Sequence, residues 1–244
     1  MIKEIETFEE ISGEISPLFP RIFSAFKYKS GSDNAWRQVD DEGNTIALLS
    51  SVDGNFTLIA TELTDLEEVG EFLKFFGCSS LISNIPLSSS SESYSLFKFT
   101  GDENEKCNER FTVVNIESSI SVYRGYHSVL FMDMDHDFDS WYCDFSKKII
   151  NGDAKAVALN QFQIYLSIAT APFIFENIAI ISGVFTLNGF RNRGYSKATI
   201  YKLIEELKKD KVNEIYLWCE NSLEDFYRKL GFTKTGNVYI ETEL

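Results

Sequence analysis

"GFRNRGYSKATIYKLIEEL", residues 189–207, follows the apolar run "NIAIISGVFTL" (177–187). Ile200, Leu203, Ile204 and Leu207 recur at i, i+3, i+4 and i+7, so the segment reads as an amphipathic helix and the run before it as a strand. Arg191, Arg193 and two glycines, Gly189 and Gly194, crowd the corner between them. Such a corner offers unpaired backbone N–H groups and the positive end of a helix dipole. Gly194 lets an anion approach the chain with no Cβ in the way. Across 189–211 seven lysines and arginines stand against three acids (Glu205, Glu206, Asp210), inside a chain of formal net charge −14. Positive charge is gathered where the N–H groups point outward, which predicts a phosphate.

The common phosphate loops do not fit. A nucleoside triphosphate loop needs G-x-x-x-x-G-K-[ST]; Gly189, Gly194 and Ser196 are in place, but Tyr195 occupies the lysine position. Without that lysine the terminal phosphates lose their main cation. A dinucleotide fingerprint needs G-x-G-x-x-G after the first strand of a parallel unit, and the chain has none. What remains is [RQ]-x-x-G-x-[GAS], matched by Arg191-Asn192-Arg193-Gly194-Tyr195-Ser196.

This hexad resembles the pyrophosphate loop of the GNAT superfamily of N-acetyltransferases, which bind acetyl-CoA. The whole stretch "ISGVFTLNGFRNRGYSKATIYKL" (181–203) is similar to that family's central motif. "NSLEDFYRKLGF" (221–232) is similar to its next motif, an asparagine opening a helix that ends in Y-x-x-x-GF. The resemblance covers roughly 137–244. It implies an α/β fold with a mixed, mostly antiparallel twisted sheet flanked by helices. It also implies a donor, acetyl-CoA, whose diphosphate is held by Arg191, Arg193 and the backbone of Asn192, Gly194, Tyr195 and Ser196. Val184, Phe185 and Thr186 match the strand that pairs with the pantetheine arm, and Asn221 matches a further contact to that arm. Tyr227 matches the residue that protonates the departing CoA thiolate, a reasonable task for a phenol of pKa ~10 facing a thiol of ~8.5. The reaction implied is direct attack of an amine on the thioester; the alternative is a non-catalytic CoA-binding module. Three departures stand out: no proline near Asn188, serine at 196 where glycine or alanine is common, and one residue fewer between Asn221 and Tyr227.

Several of these residues have ordinary structural readings too. Asn221 with Glu224 three residues on is close to a capping box. Leu223, Phe226, Tyr227 and Leu230 form an apolar stripe in which a plain buried tyrosine would look the same. "DMDHDFD" (133–139) has alternating acids, but Phe138 and Asp144 stand where a calcium loop needs glycine and glutamate. Its acids suit a following helix dipole, and no metal is expected. The general base is not assigned: Glu176 precedes the right strand but stands too early along it.

Elsewhere the chain reads as globular, with 44% hydrophobic and 14% aromatic residues among 244. Its acidity argues against nucleic acid or an anionic membrane as partner and is compatible with a small-molecule or peptide amine. Four separated cysteines (Cys78, Cys107, Cys143, Cys219) read as reduced thiols in a cytoplasmic protein. The acidic start, "MIKEIETFEE", is not expected to be a signal peptide, and no apolar run reaches spanning length. The reading assigns no oligomeric state.

The first half holds strand-like "NTIALLSS" (44–51) and "FTLIAT" (56–61) around a turn at Asp53-Gly54. A helix over 64–77 capped by Thr64 and ended by Gly77 follows, then a strand at "SSLISN". This order looks like a truncated copy of the same fold, with acids at the matching corner in "TELTDLEEVGEFL". A tandem arrangement with one working site is expected, divided into a small α/β domain at 1–115 and an acetyltransferase domain at 116–244. The low-complexity "IPLSSSSESY" (85–94) is the candidate boundary, with a second polar stretch at 100–110. In the second half a helix over 137–153, strands at 154–161, 164–175, 177–187 and 214–219, a helix within 221–232 and a last strand at 237–243 are predicted.

Overall fold

The computed structural model describes residues 1–11, 16–29, 33–52, 54–101, 113–115, 120–131, 137–161 and 164–242. In chain order these form β1 (Ile2–Glu4), α1 (Phe19–Lys27), β2 (Asn34–Val39), β3 (Thr45–Val52), β4 (Asn55–Ala60), α2 (Leu66–Phe75), β5 (Ser80–Ser83) and β6 (Glu92–Phe99). Then come β7 (Val113–Asn115), α3 (Ile120–Leu130), α4 (Phe138–Asn151), β8 (Lys155–Gln161), β9 (Ile164–Phe175), β10 (Ile178–Thr186), α5 (Tyr195–Lys209), β11 (Glu214–Cys219), α6 (Glu224–Arg228) and β12 (Phe232–Glu241). The chain forms two compact units. One comprises Met1–Phe97 with Trp218–Tyr227 and Lys234–Leu244; the other comprises Lys98–Leu217 with Arg228–Thr233.

In the first unit β2, β3 and β4 form an antiparallel meander, β5 lies parallel to β4, and β12 is antiparallel to β5. The parallel pair requires a crossover, and α2 supplies it. Val69 and Leu73 of α2 are fully buried against Trp36, Leu49, Phe56, Leu58 and Leu81. Asp53 lies outside the described residues, while Gly54 takes φ +73 at the turn between β3 and β4. The serine-rich stretch is held in place: the buried Glu241 carboxylate accepts from Leu87 N at 3.0 Å, Ser88 N at 3.1 Å and the Ser91 hydroxyl.

In the second unit β7, β8, β9 and β10 run antiparallel in succession, and β11 lies parallel to β10 with α5 as the crossover. Ile200, Leu203, Ile204 and Leu207 are all buried, as their spacing predicts. Two helices precede β8. α4 starts on Asp137, whose carboxylate accepts from Ser140 N at 2.7 Å, and ends on Gly152 at φ +77. α3 was not legible in the sequence; its Tyr123 and Tyr126 are buried against Phe145, with Trp141 stacked on Tyr126 at 6.2 Å.

Both units thus share one connection: two antiparallel strands, a helix, then a strand parallel to the second (β3-β4-α2-β5 and β9-β10-α5-β11). The architecture is mixed α/β with mostly antiparallel strand pairs, as expected. Three local expectations need correction. α2 is capped by Asp65 rather than Thr64, because the Thr64 hydroxyl is committed to Ile46 O at 2.8 Å. The 221–232 helix shrinks to a 3₁₀ turn at Asn221–Leu223 followed by five helical residues, and Gly231 at φ +84 begins the return. β12 begins at Phe232, five residues before the segment predicted.

Candidate functional site

The site starts from an irregularity in β10. Its pairing with β9 slips at Ser182 and recovers at Phe185, and Gly183 between them has φ +58. A Cβ on Gly183 would come within 2.9 Å of Leu130 Cδ1 and 3.0 Å of Thr170 Oγ1, so the bulge needs glycine for space as well as for φ. Thr170 is hydrogen-bonded to the hydroxyl of Tyr126, a fully buried residue of α3 whose phenol is pushed far up by desolvation. On its other edge β10 pairs with β11 only over Ile178–Ile180. Past that point, among the described residues, no register with β11 continues, and half-buried Val184 and Phe185 follow.

The corner itself is built around two left-handed residues, Asn192 at φ +61 and Gly194 at φ +82. Gly194 is the N-cap of α5 and offers no capping side chain; the first helical bond runs from Ala198 N to Gly194 O at 3.0 Å. A Cβ at 194 would meet nothing within 4 Å, so the space before the helix is open. No acid stands in the first turn of α5. Arg191 is exposed, donates from Nε to Thr186 O at 3.2 Å and lies over the Phe185 ring. Arg193, also exposed, lies 5.4 Å from the Phe190 ring, which stacks on Tyr195. Neither arginine forms an ion pair among the described residues. The Ser196 hydroxyl is 2.7 Å from Thr186 Oγ1.

Farther along α5 two of the lysines are paired with acids. Lys202 and Lys209 pair with Glu206 at 2.8 and 2.7 Å, and both also pair with Glu205. Burial would raise the Glu206 carboxyl, but hydrogen bonds from Lys202, Lys209 and Asn115 outweigh it and bring the pKa to about 2. The pairing lies toward the back of the segment, away from Arg191 and Arg193. An open glycine-led helix start, two exposed arginines and no acid in the first turn fit an anion.

Val184, Phe185, Thr186 and 191–196 are brought together in the second unit. Asn221 and Tyr227 belong to the first. Asn221 opens a 3₁₀ turn, and its Oδ1 accepts from Ser95 at 3.4 Å. The capping box does not form: Glu224 binds the Ser95 hydroxyl and Lys234, the latter at 3.0 Å. The apolar stripe is only half real, since Leu223 (44%) and Phe226 (37%) are exposed while Tyr227 and Leu230 are buried. Tyr227 packs against Phe97 and edge-on to Phe226; desolvation, with a smaller contribution from Cys219, pushes its phenol up to about 12.

Glu176 is an exposed turn residue at the opposite end of β10 from Thr186, at φ +49. His127 is ringed by Phe131, Phe138 and Trp141, and His136 lies outside the described residues. No group of three metal-ligating side chains occurs among the described residues. Nor is any helix among them long and apolar enough to cross a membrane. The residues that sequence reasoning missed are Gly183, Ser167 and Thr199; a serine inside the apolar run "IYLSIATAPFIF" was the available signal.

A bulged strand that parts from its parallel neighbour, followed by an open glycine-led helix, defines the acyl-CoA N-acyltransferase fold. Solved structures agree on the fold. A GCN5-related N-acetyltransferase from Kribbella flavida superposes with a TM-score of 0.64 at 12% identity, covering 94% of this chain and 95% of that one. A putative GNAT-family acetyltransferase from Novosphingobium aromaticivorans gives 0.60 at 14% identity, over 93% and 97% of the two chains. A tandem GNAT protein from the clavulanic acid biosynthesis pathway gives 0.62 at 8% identity, over 96% and 91%. No curated protein matches the sequence. Residues 133–232 match the model of the acetyltransferase (GNAT) family.

Proposed function

We propose that the chain is an N-acetyltransferase that takes acetyl-CoA as donor and a small-molecule or peptide amine as acceptor, and that it works in the cytoplasm. The observation that carries this reading is the corner before α5: Gly194 with open space around it, exposed Arg191 and Arg193, and no acid in the first turn. The residues present fit the diphosphate of CoA. Backbone N–H groups of 192–196 and the two guanidinium groups would hold it. The unregistered edge of β10 at Val184–Thr186 offers main-chain groups to an extended arm, as in strand addition, and Asn221 is assigned to the same arm on the family resemblance.

Acetyl-CoA supplies an acyl group activated as a thioester. The N–H of Val184 or Phe185 is assigned to the oxyanion that develops when the amine attacks. Tyr227 is assigned the proton for the departing thiolate, again on resemblance; its raised pKa keeps the phenol protonated at any working pH. Residues 116–244 are read as the acetyltransferase domain and 1–115 as a degenerate copy that binds no second cofactor.

The test is CoA binding followed by turnover. CoA should raise the melting temperature by mass action, and a panel of amines with acetyl-CoA should reveal an acetylated product. Tyr227→Phe should keep CoA affinity and lose roughly 10²–10⁴-fold in kcat. CoA binding with no turnover on any amine would favour a non-catalytic CoA-binding module. A Tyr227→Phe protein that is active and only less stable would remove the acid role.

A further inference from the structure

Four hydroxyls form a chain through the otherwise apolar layer where β9, β10 and α5 meet. Ser167 and Thr199 are 0% exposed and Thr186 is 6% exposed; Ser196 is half-buried at the corner. Ser167 Oγ lies 3.0 Å from Phe185 O, 2.8 Å from Thr186 Oγ1 and 3.2 Å from Thr199 Oγ1. Thr186 Oγ1 lies 2.7 Å from Ser196 Oγ. Thr199 Oγ1 lies 3.2 Å from Tyr195 O and 3.0 Å from Ser196 O.

Each hydroxyl has one proton to give, and a carbonyl can only accept. Thr199 therefore donates to the carbonyls of its own helix, and Ser167 can donate either to Phe185 O or to Thr186. Thr186 can donate to Ser167 or to Ser196, because both oxygens keep a lone pair for it. The direction it takes decides what Ser196 does. When Ser196 donates inward to Thr186, its proton is withdrawn from the corner. When Thr186 accepts from Ser167 and donates outward to Ser196, the Ser196 proton is released toward the open space before α5. Among the described residues Ser196 Oγ has no other hydrogen-bond partner, so only something outside the described protein can receive that proton. Thr186 also holds Arg191 through its carbonyl, so one residue positions two groups of the corner.

We propose that the Ser196 hydroxyl is a direct ligand of the cofactor's diphosphate and that Thr186, fixed by buried Ser167, is the positioning residue that turns the Ser196 proton outward. The inference rests on reading this corner as the diphosphate site. It goes beyond main-chain recognition, for which glycine or alanine at position 196 would serve equally well. It also ties the anion to β10, because the outward direction takes the Ser167 proton off the carbonyl of Phe185 and gives it to Thr186. Binding at the corner and the alignment of the strand become one hydrogen-bonded unit.

Titration calorimetry with CoA and with pantetheine, which lacks the diphosphate, tests this. Ser196→Ala removes one hydroxyl at a half-buried position and should weaken CoA about 10-fold, the loss of one hydrogen bond to a charged group, while pantetheine affinity stays unchanged. Thr186→Val keeps the shape of the side chain and should weaken CoA by a similar factor, and Thr186→Ser should restore it to within about 2-fold. The double variant Ser196→Ala with Thr186→Val should be no weaker than either single variant, because both remove the same directed proton. If Thr186→Val proves unstable, the Ser196→Ala and Thr186→Ser pair decides alone. CoA affinity of Ser196→Ala within about 2-fold of wild type overturns the proposal and leaves the cofactor site standing. Equal weakening of CoA and pantetheine also overturns it. A wild type that binds no CoA overturns the reading beneath it, and this inference with it.

Discussion

The corner before α2 and the corner before α5 occupy the same place in two copies of one connection, yet they treat a helix N-terminus in opposite ways. α2 is capped from within: the Asp65 carboxylate accepts from Glu67 N and Glu68 N, both at 3.1 Å, and Glu67 and Glu68 add charge in the first turn. α5 begins on Gly194, with no capping side chain and no acid. The strands differ in the same sense. β4 pairs with β5 through Leu58, and the Asn84 side chain then bonds Ala60 N and Ala60 O, both at 2.8 Å. β10 leaves β11 after Ile180. β4 also runs along β3 without a slip, whereas β10 carries the Gly183 bulge. One corner satisfies its own backbone and the other leaves it open, where the diphosphate is proposed to sit. The shared connection does not carry the proposed site with it; a handful of residues decides.

The largest expected effect comes from exchanging the two caps. Gly194→Asp gives α5 the same kind of carboxylate that closes α2. The new side chain would accept the first-turn N–H groups and place a negative charge where the diphosphate is proposed to sit. CoA affinity should fall by about 100-fold or more, and the CoA-induced rise in melting temperature should vanish. The apo protein should lose little. The left-handed φ costs aspartate roughly 1 kcal/mol, and a good N-cap returns a similar amount. Retained CoA binding in this variant would break the comparison outright.

Next is the bulge that β4 lacks. Gly183→Ala must hold φ +58 with a Cβ pressed on Leu130 and Thr170, so unfolding in urea should show a loss of about 2–3 kcal/mol. CoA affinity should fall too, because the backbone of Val184 and Phe185 follows directly. Loss of stability with unchanged affinity would mean that the bulge serves packing alone.

The α5 corner was legible in the sequence because its signals are local. A glycine between arginines, an i, i+3, i+4, i+7 stripe and an apolar strand each lie within a few residues, and local spacing is what a sequence displays. The fold class was implied by the family resemblance that these same local motifs carry. The bulge was not legible, since what forbids a side chain at 183 is Leu130 and Thr170, which come from distant parts of the chain. Ser167 was hidden for a related reason: its partners Thr186 and Thr199 lie 19 and 32 residues away. α3 escaped because tyrosine, histidine and glycine dilute its periodicity. The 221–232 helix was overestimated because its stripe continues past the point where the backbone stops being helical.

A smaller effect is expected from opening the closed corner. Asp65→Ala removes both capping bonds of α2 and should cost about 1 kcal/mol in the urea midpoint. It should not create a site, because Glu67 and Glu68 remain and Asn84 still closes the strand edge. Calorimetry should give one CoA per chain before and after the change. Two per chain in the wild type would end the reading of residues 1–115 as a degenerate copy.

The smallest effect on binding is expected at the back of α5, where the comparison turns on charge alone. Glu206 neutralises Lys202 and Lys209, whereas Arg191 and Arg193 at the front form no ion pair among the described residues. Its pKa is about 2 when folded, below the 4.5 of an unperturbed glutamate. A depressed carboxyl stabilises the fold above the unfolded pKa, and that contribution is lost as pH falls through the folded value. Wild-type stability should therefore decline between about pH 5 and pH 2, and Glu206→Gln, lacking the titrating group, should decline less steeply over that window. At pH 7 the variant should be the less stable protein, since Lys202 and Lys209 lose a buried partner. Its CoA affinity should change by less than about 2-fold, because interactions beyond a Debye length of roughly 8 Å are screened. A large gain in affinity would show that the whole basic face of α5 attracts the anion, and that the contrast with α2 is one of net charge rather than of the open, glycine-led start.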